Sequence, residues 1–444
     1  MTTQTRLSSE DLAARDAAHV FRPRRAHDVG APLFMERGAG SYLWDYDGNR
    51  YVDFLSQWVF ANIGHQHPKM IEALQEQLGT LANIAPSYGN ATRATTAKLV
   101  ADRAPAGLNH VFFTSSGSEA TEHAIKMARL ATKRHKVLAA YRSFHGSTAN
   151  AVALSGDARR WPGDTATQGF VRFLGPYRYR SAFDATSDEE ECERALRHLE
   201  QVITLEGPET IAAIVLETIG GSAGVLIPPD GYLEGVRQLC DRFGILLVLD
   251  EVVVAFGRVG TWFGLEHWGV VPDLMILGKG FSSGYAPLGA VVLGDHVVEA
   301  LAGGRAYPTV GSFSGHLLAT AAGAANIRIL EEEGILDHAT WLGEQVLGPR
   351  LRELADRHRL VGECRGLGAY WTLEVVRDRD TREPLDGADM QLLVAELRRR
   401  GVLTGSNDGR LTIAPPCNTS GEDAAGALEL VDEALTATAA ALGV

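Results

Sequence analysis

The chain has 444 residues, 45% of them hydrophobic, and a formal charge of −13 at neutral pH. This length and composition predict a soluble globular protein with a large core and two compact lobes. The negative charge argues against nucleic acid or an anionic membrane surface as a partner, and the apolar runs are too short to span a membrane.

The N-terminal part predicts an arm, a hairpin and a helix, in that order. Residues 1–30 are polar and predict a short helix and an arm. Residues 41–54 alternate in polarity around Asp47-Gly48-Asn49, which is typical of two strands joined by a tight turn. A helix is predicted after Pro68, because apolar residues recur at helical spacing at Met70, Ile71, Leu74, Leu78 and Leu81.

From about residue 110, apolar strands alternate with helices, the first helix covering 119–134. A short apolar run at 111–114 comes first. Continuous apolar runs, as expected for buried parallel strands, occupy 137–141, 211–216, 245–249, 274–277 and 290–293. This alternation predicts a sheet covered by helices on both faces. The remainder predicts helices at 319–333 and 339–357, then a strand at 369–376, a helix at 386–400 and a strand at 410–414.

Lys279 follows the apolar run 274–277 and precedes a glycine-rich turn. The chain has only six lysines among its 42 basic residues, and every other basic residue after position 136 is arginine. Lysine carries an amine that can lose its proton and condense with a carbonyl, which arginine cannot do. A leftover surface lysine is the plain alternative. The strand end is where α/β proteins place their sites.

Three other strand ends carry polar or small residues. Residues 114–120, Thr-Ser-Ser-Gly-Ser-Glu-Ala, join a strand to a helix, where backbone amides and the hydroxyls of Ser116 and Ser118 could bind phosphate; a plain helix cap is the alternative. Asp250 and Glu251 end the run 245–249, and could face a protonated ring nitrogen or serve as a cap or an ion pair with Arg258. Glu217 ends the run 211–216, before Gly220-Gly221.

An aromatic residue completes this set: Phe144, in the Phe-His-Gly segment 144–146, could stack on a planar ring or lie in the core. Together these features meet the requirements of pyridoxal phosphate. The chain resembles the class III, or ω-, aminotransferases of fold type I over about residues 40–420. The resemblance rests on the motifs at 43–48, 62–68, 116–120, 144–146, 250–252, 256–260, 272–273 and 278–280.

This resemblance implies an α/β fold of type I, with a mostly parallel central sheet in a large domain and a smaller α+β domain from both termini. We place the N-terminal arm and part of the small domain at residues 1–65. The large cofactor-binding domain is expected at 66–318, and the rest of the small domain at 319–444.

The resemblance also implies roles for single residues. Lys279 would bind the cofactor as a Schiff base and shuttle a proton, and Asp250 would keep the pyridine nitrogen protonated. Glu217 would lie near the cofactor hydroxyl and the substrate. Ser312, in place of the family's threonine, would reach the phosphate of a partner subunit, which implies a homodimer with shared sites. The remaining cofactor-binding residues would be Ser116, Gly117 and Ser118 at the phosphate, Phe144 and Val252 on the two ring faces, and His145.

Departures from the family bear on the substrate. Ser147 stands where ornithine-type relatives have an arginine for an α-carboxylate. Another family arginine would fall at about Gly405, and Arg410 is the nearest arginine. Arg365 matches a family segment, where we expect a structural role. Trp58, Phe60 and Tyr88 could line the pocket, or lie in the core or an interface.

We therefore predict a ping-pong aminotransferase that moves an amino group from an ω-amino acid or terminal amine, such as β-alanine or taurine, to a 2-oxo acid such as pyruvate. A decarboxylase or aminomutase on the same fold is one alternative, and a non-catalytic pyridoxal-phosphate-binding protein is another. Cysteines 192, 240, 364 and 417 have no metal-type spacing, and no apolar signal core is present near the N-terminus. These features predict a cytoplasmic protein that binds no metal.

Overall fold

The computed structural model describes residues 7–21, 32–163, 168–303 and 307–444. The chain packs as two compact units. The larger unit comprises Val59–Asn62 and Pro68–Thr340, and the smaller comprises Met1–Trp58, Ile63–His67 and Trp341–Val444. The domain limits expected at 65 and 318 remain a prediction, and part of the expected N-terminal arm lies outside the described residues.

The strands and helices are numbered along the described chain. The strands are β1 (Met35–Ala39), β2 (Tyr42–Asp45), β3 (Arg50–Asp53), β4 (Leu108–Thr114), β5 (Lys136–Ala140), β6 (Phe170–Phe173), β7 (Ile211–Glu217), β8 (Leu246–Asp250), β9 (Leu274–Leu277), β10 (Gly289–Gly294), β11 (Val361–Leu367), β12 (Tyr370–Asp378), β13 (Glu383–Pro384), β14 (Val402–Leu403), β15 (Gly405–Asn407) and β16 (Arg410–Ile413). The helices are α1 (Ser9–His19), α2 (Ser56–Val59), α3 (Pro68–Thr80), α4 (Ala91–Ala101), α5 (Gly117–Thr132), α6 (Ala149–Leu154), α7 (Asp188–Glu206), α8 (Tyr232–Phe243), α9 (Asp295–Ala302), α10 (Leu317–Glu332), α11 (Ile335–Trp341), α12 (Gly348–Arg357), α13 (Gly387–Arg399) and α14 (Gly421–Leu442).

The larger unit is organised around a sheet whose described strands have the order β4-β10-β9-β8-β7-β5-β6. Strands β5, β7, β8 and β9 are parallel, as predicted, and β6, which the sequence did not predict, is parallel to β5. The strand predicted at 290–293 is present as β10, but the parallel direction expected for it is wrong, because it runs antiparallel to β4 and β9. Only residues 278–288 separate β9 from β10, which is fewer than the dozen or more that a parallel crossover needs.

Helix α5 packs against this sheet through small side chains. Ala120, Ala124 and Ala128 are fully buried and belong to a hydrophobic cluster with central strand residues such as Val248 and Ile276. Alanine at these positions brings the helix backbone close to the sheet, which fixes the start of α5 relative to the strand ends. The helix predicted at 119–134 is therefore present as α5, with this alanine face against the sheet.

The smaller unit contains the predicted hairpin, formed by β2 and β3 as an antiparallel pair. Strands β12 and β16 and helix α13 also lie where they are predicted. The helical stretch predicted over 339–357 is present, but it begins earlier, at Ile335, and a π-helical turn, Leu342–Leu347, lies between α11 and α12. At this turn an added Cβ on Gly343 would lie 2.3 Å from the carbonyl oxygen of Gly368. Among the described residues, no helix is both long and apolar enough to cross a membrane.

Candidate active site

The candidate site lies at the carboxyl ends of parallel strands in the larger unit. Strands β5, β7, β8 and β9 lie side by side in the sheet and run parallel. Their carboxyl ends therefore meet at one edge of the sheet. Glu217 and Asp250 are direct cross-strand partners at the ends of β7 and β8. Lys279 follows the end of β9, one strand further along. The sheet thus brings together the three residues predicted to be catalytic.

Lys279 occupies a constrained turn, with a backbone φ of +43°. Such a φ is costly for a residue with a Cβ and persists only where the surroundings enforce it. The side chain of Asn326 donates to the carbonyl of Gly280 at 2.9 Å and accepts from the hydroxyl of Ser283 at 2.6 Å. These contacts hold the turn that presents the lysine.

The amine of Lys279 differs from the surface lysines. Burial lowers its pKa, although the nearby charges of Asp250 and Glu217 act in the opposite direction. By contrast, hydrogen bonds to Glu332 and Glu333 raise the pKa of Lys69 at the surface. A lowered pKa increases the fraction of neutral amine, which is the form that attacks a carbonyl or accepts a proton.

Asp250 is paired with the ring of His145. Its Oδ2 lies 2.8 Å from Nδ1 of His145, and its Oδ1 accepts from the backbone N–H of Val252 at 3.1 Å. Burial acts to lower the pKa of His145, but the hydrogen bond and charge of Asp250 outweigh burial and the pKa is raised. The histidine therefore supplies a donor that holds the buried carboxylate in one orientation.

Glu217 is anchored by two backbone donors. Its Oε1 accepts from the N–H of Phe144 at 2.8 Å, and its Oε2 accepts from the N–H of Gly221 at 2.7 Å. Burial raises the pKa of this carboxyl group, and the charge of nearby Asp250 adds to that effect. Glu217 thus fixes the backbone of Phe144 beside the Asp250–His145 pair.

The second acidic residue at the end of β8 faces away from this pair. Glu251 is fully buried and accepts from the hydroxyl of Thr218 at 2.6 Å. It also accepts from the backbone N–H groups of Gly264 and Leu265 at 2.6 and 2.9 Å. Burial raises its pKa to about 7. Of the two carboxylates considered in the sequence, Asp250 belongs to the site and Glu251 holds a neighbouring turn.

The turn before α5 leaves backbone and hydroxyl donors for an anion. Ser116 is the N-cap of α5, and its Oγ accepts from the N–H of Glu119 at 3.2 Å. The Oγ of Ser118 accepts from the N–H of Ser147 at 3.1 Å. Each hydroxyl keeps its own hydrogen to donate. The amides of the first helical turn lack partners within the helix, so this turn can hold a phosphate.

Gly117 lies close both to Val252, which follows β8, and to Gly278, which follows β9. A Cβ added at Gly117 would lie 3.0 Å from Cγ2 of Val252, and one added at Gly278 would lie 3.4 Å from the Gly117 Cα. Gly278 directly precedes Lys279. The predicted phosphate turn, Val252 and the lysine therefore converge, which is the arrangement needed for one ring and its phosphate.

Phe144 has an unexpected neighbour, because the guanidinium of Arg159 lies 3.5 Å above its ring. Arg159 is held by Asp157, with Nε 2.6 Å from Oδ2, and by the hydroxyl of Ser222, which is 2.8 Å from Nη2. Sequence analysis did not predict Arg159. Its segment has no strand or motif signal, and only the fold brings residue 159 to residue 144.

The predicted pocket residues are divided between the two units. In the larger unit, Phe60 lies against the turn after Lys279, since an added Cβ on Gly284 would be 2.3 Å from its ring. Tyr88 in the same unit is 63% exposed. In the smaller unit Trp58 is 61% exposed, while Arg410 donates to the carbonyl of Asn407 at 3.2 Å.

Two further predicted residues can be placed. Arg365 donates to Glu374 at 2.6 Å within the smaller unit, which agrees with the structural role expected for it. Ser312 is exposed in a turn of the larger unit. In this turn the N–H of Gly311 donates to the hydroxyl of Ser314 at 3.1 Å.

Comparison with known proteins gives the family. A sequence profile of the family "Aminotransferase class-III" matches residues 24–435. A taurine–pyruvate aminotransferase of Rhodobacter capsulatus is 35% identical, with 97% of each chain covered. A putrescine–pyruvate aminotransferase of Pseudomonas aeruginosa is also 35% identical, over 94% of this chain and 93% of the other. The crystal structure of a taurine:2-oxoglutarate aminotransferase from Bifidobacterium kashiwanohense, in complex with PLP and glutamate, superposes with a TM-score of 0.94 at 35% identity and covers 98% of both chains.

The residues present fit the cofactor of this family. Pyridoxal phosphate needs a nucleophilic amine, a carboxylate for its ring nitrogen and a cradle for its phosphate, and this edge of the sheet offers Lys279, Asp250 and the turn at Gly117. When bound, the cofactor withdraws electrons from the carbon that carries the amino group. The neutral amine of Lys279 is suited to remove and return a proton at that carbon. The chain belongs to the class III aminotransferase family of fold type I, and it is a pyridoxal-phosphate-dependent enzyme that transfers an amino group to a keto acid.

Proposed function

We propose that the amine donor is an ω-amino acid that carries a carboxylate or sulfonate away from its amino group, as β-alanine and taurine do. The acceptor is a 2-oxo acid such as pyruvate, and the two half-reactions follow each other in a ping-pong cycle. Relatives named for taurine and pyruvate support this choice. Ser147, where other relatives carry an arginine for an α-carboxylate, supports a donor without one.

The observation that carries the proposal is the placement of Arg159. Its positive charge contributes to the lowered pKa of Lys279, so it acts on the reacting amine. The described contacts of the guanidinium use Nε and Nη2, and a guanidinium has five N–H donors, which leaves Nη1 for an anion. The side chain is 37% exposed and can be reached by a substrate. Arginine suits planar carboxylates and sulfonates because it binds two oxygens at once.

Single-donor half-reactions test this assignment without the acceptor. We expect Arg159→Gln to lower kcat/KM for taurine and β-alanine by about 10- to 100-fold, since a charge-assisted hydrogen bond contributes about 1.5–3 kcal/mol. Putrescine, which has no acid group, should lose much less, since only the smaller effect of Arg159 on the pKa of Lys279 is removed for it. Arg197→Gln is a matched control, because Arg197 pairs with Glu193 on the exposed face of α7.

Equal losses for putrescine and taurine would refute the role of Arg159. The full reaction adds a check on the reaction class: conversion should require the 2-oxo acid. Release of carbon dioxide, or turnover without an acceptor, would instead favour the decarboxylase or aminomutase alternative.

We also propose that the protein is a homodimer whose two sites each use Ser312 of the partner subunit. The exposed turn at Ser312 supports this, as do Val310 and Phe313, which are 59% and 70% exposed and apolar. Exposed apolar residues next to a predicted site favour an interface. Mixing Lys279→Ala and Ser312→Ala subunits tests the proposal. In the mixed dimer, one site combines the intact Lys279 of the Ser312→Ala subunit with the intact Ser312 of its Lys279→Ala partner, and the other site has neither. The mixture should therefore gain one intact site in each mixed dimer and recover activity, whereas a Ser312 acting within its own subunit would leave no intact site and no recovery.

We propose a cytosolic location because Cys192, Cys240 and Cys364 are not paired in disulfides. Of these three thiols, Cys192 and Cys240 are buried and Cys364 is half-buried. Secreted proteins more often pair their cysteines. Cell fractionation with an antibody to the chain tests this location, and recovery outside the cytosol would contradict it.

A further inference from the structure

The carboxylate of Glu119 contacts two segments that the proposed function assigns to different cofactor sites. Its Oε2 accepts from the backbone N–H of Ser115 at 2.7 Å, at the turn that holds the phosphate in the same subunit. Its Oε1 faces Gly311, where an added Cβ would lie only 2.5 Å from that oxygen. Gly311 directly precedes Ser312.

The segment that carries Ser312 is fixed mainly by the face of α5 that includes Glu119. His123, one turn along that helix, is 2.6 Å from the hydroxyl of Tyr307 through its Nδ1. Lys126, on the same face, donates to the hydroxyl of Thr309 at 3.0 Å. The positions 119, 123 and 126 follow the spacing of one helix face. A second helix contributes Arg93, whose Nε donates to the carbonyl of Gly315 at 3.1 Å.

Glu119 is the member of this set that also reaches the phosphate turn. Burial of the helix behind it, through Ala120 and Ala124, prevents α5 from shifting without disturbing the sheet. A displacement of the Glu119 carboxylate would therefore move the Ser115 amide, the Gly311 turn, or both. Neither Glu119 nor Gly311 has a reacting role in the site described above.

We propose that Glu119 is a positioning residue for two cofactor sites at once. It orders the phosphate turn of its own subunit and, through the Gly311 turn, the Ser312 that serves the partner subunit. This inference rests on the proposed homodimer with shared sites. It predicts that one substitution at Glu119 weakens phosphate binding both in the subunit that carries it and in the neighbour.

Mixed dimers separate the two effects. In the first, one subunit carries Glu119→Ala and an intact Lys279, and its partner carries Lys279→Ala, so the defect acts on its own subunit. In the second, Glu119→Ala and Lys279→Ala are in the same subunit, and the intact site lies in the partner. Only a subunit with Lys279 holds pyridoxal phosphate covalently, so borohydride labelling of Lys279, at intervals after dilution, measures release from that one site.

We expect release to be about tenfold faster than in a dimer with Lys279→Ala alone, in both arrangements, because each loses an ordered donor to the phosphate. Glu119→Gln should restore most of the retention, since its amide oxygen can still accept from Ser115. Gly311→Ala is a second variant, and its methyl group should crowd Oε1 and speed release in the second arrangement. Glu193→Ala, which removes an exposed acid paired with Arg197, should leave both rates unchanged.

Loss of retention in the first arrangement alone would overturn the inference and leave Glu119 as a cap for its own helix. Unchanged release in both arrangements would overturn it as well. Failure of the proposed function is separate, because it would appear in the unchanged enzyme before any residue is substituted, either as a monomeric state in solution or as a lack of donor conversion.

Discussion

Gly117→Ala tests whether the phosphate turn and Val252, which follows β8, meet as closely as the structure places them. The new methyl carbon would lie 3.0 Å from Cγ2 and 3.3 Å from Cγ1 of Val252. Ordinary contacts between such carbons begin several tenths of an ångström further apart. The turn, or Val252, must therefore move. Overpacking of this kind costs about 1–3 kcal/mol.

Because this displacement falls on the donors of the first helical turn, we expect it to appear in cofactor affinity. A cost of about 1–3 kcal/mol corresponds to roughly a 5- to 150-fold weaker affinity for pyridoxal phosphate. Titration of the cofactor-free protein, followed by the absorbance of the bound cofactor, measures it. Gly426→Ala is the matched control, since Gly426 lies within α14 and an added Cβ there meets nothing within 4 Å.

A double substitution makes the test specific. Val252→Ala removes both methyl groups that the new Cβ would meet, so Gly117→Ala should cost little further affinity in that background. Unchanged affinity in Gly117→Ala alone would refute the close approach. An equal additional loss in the Val252→Ala background would show that the glycine is needed for a different reason.

Three further predictions follow from the pKa shifts and the buried pairs. His145→Gln, which alters the donor to Asp250, should lower kcat/KM by about 10- to 100-fold while Lys279 is still labelled by the cofactor; unaltered kinetics would contradict the pairing. Burial raises the pKa of Glu251 to about 7, against a usual 4.5. Between these two pH values the carboxyl group of Glu251 is therefore protonated in the folded protein and ionised in the unfolded one. The unfolding free energy should therefore fall by up to about 3 kcal/mol as pH rises through this window, relative to Glu251→Gln, and then level out; a pH-independent difference would count against it. Because burial lowers the pKa of Lys279, the rate of cofactor attachment should rise with pH and reach its plateau below pH 10.5, and a rate still rising there would contradict a lowered pKa.

Sequence alone predicted the elements that have strong, local signals. Continuous apolar runs located the central strands, and the scarcity of lysine directed attention to Lys279 at a strand end. The direction of β10 was missed because an apolar run reports burial on both faces and not direction. The length of the connection, residues 278–288, would have indicated the antiparallel return. Strand β6 was missed because Arg172 interrupts its short apolar run.

The contacts within the site depended on the fold. The sequence placed Asp250 and Glu251 at one strand end, and the family resemblance selected Asp250. Only the structure shows that Asp250 faces His145 while Glu251 accepts from Gly264 and Leu265. Arg159 reaches Phe144 from a segment with no regular pattern. Such pairings join residues far apart in sequence, so no local periodicity encodes them.

The most direct test of the account is the identity of the residue that carries the cofactor. Reduction of the loaded enzyme with borohydride, followed by peptide mass analysis, fixes the cofactor to its attachment point. Of the six lysines in the chain, Lys279 alone should carry the stoichiometric label, and Lys279→Ala should abolish it. A label on a surface lysine such as Lys69, with Lys279 unmodified, would contradict the site at this edge of the sheet.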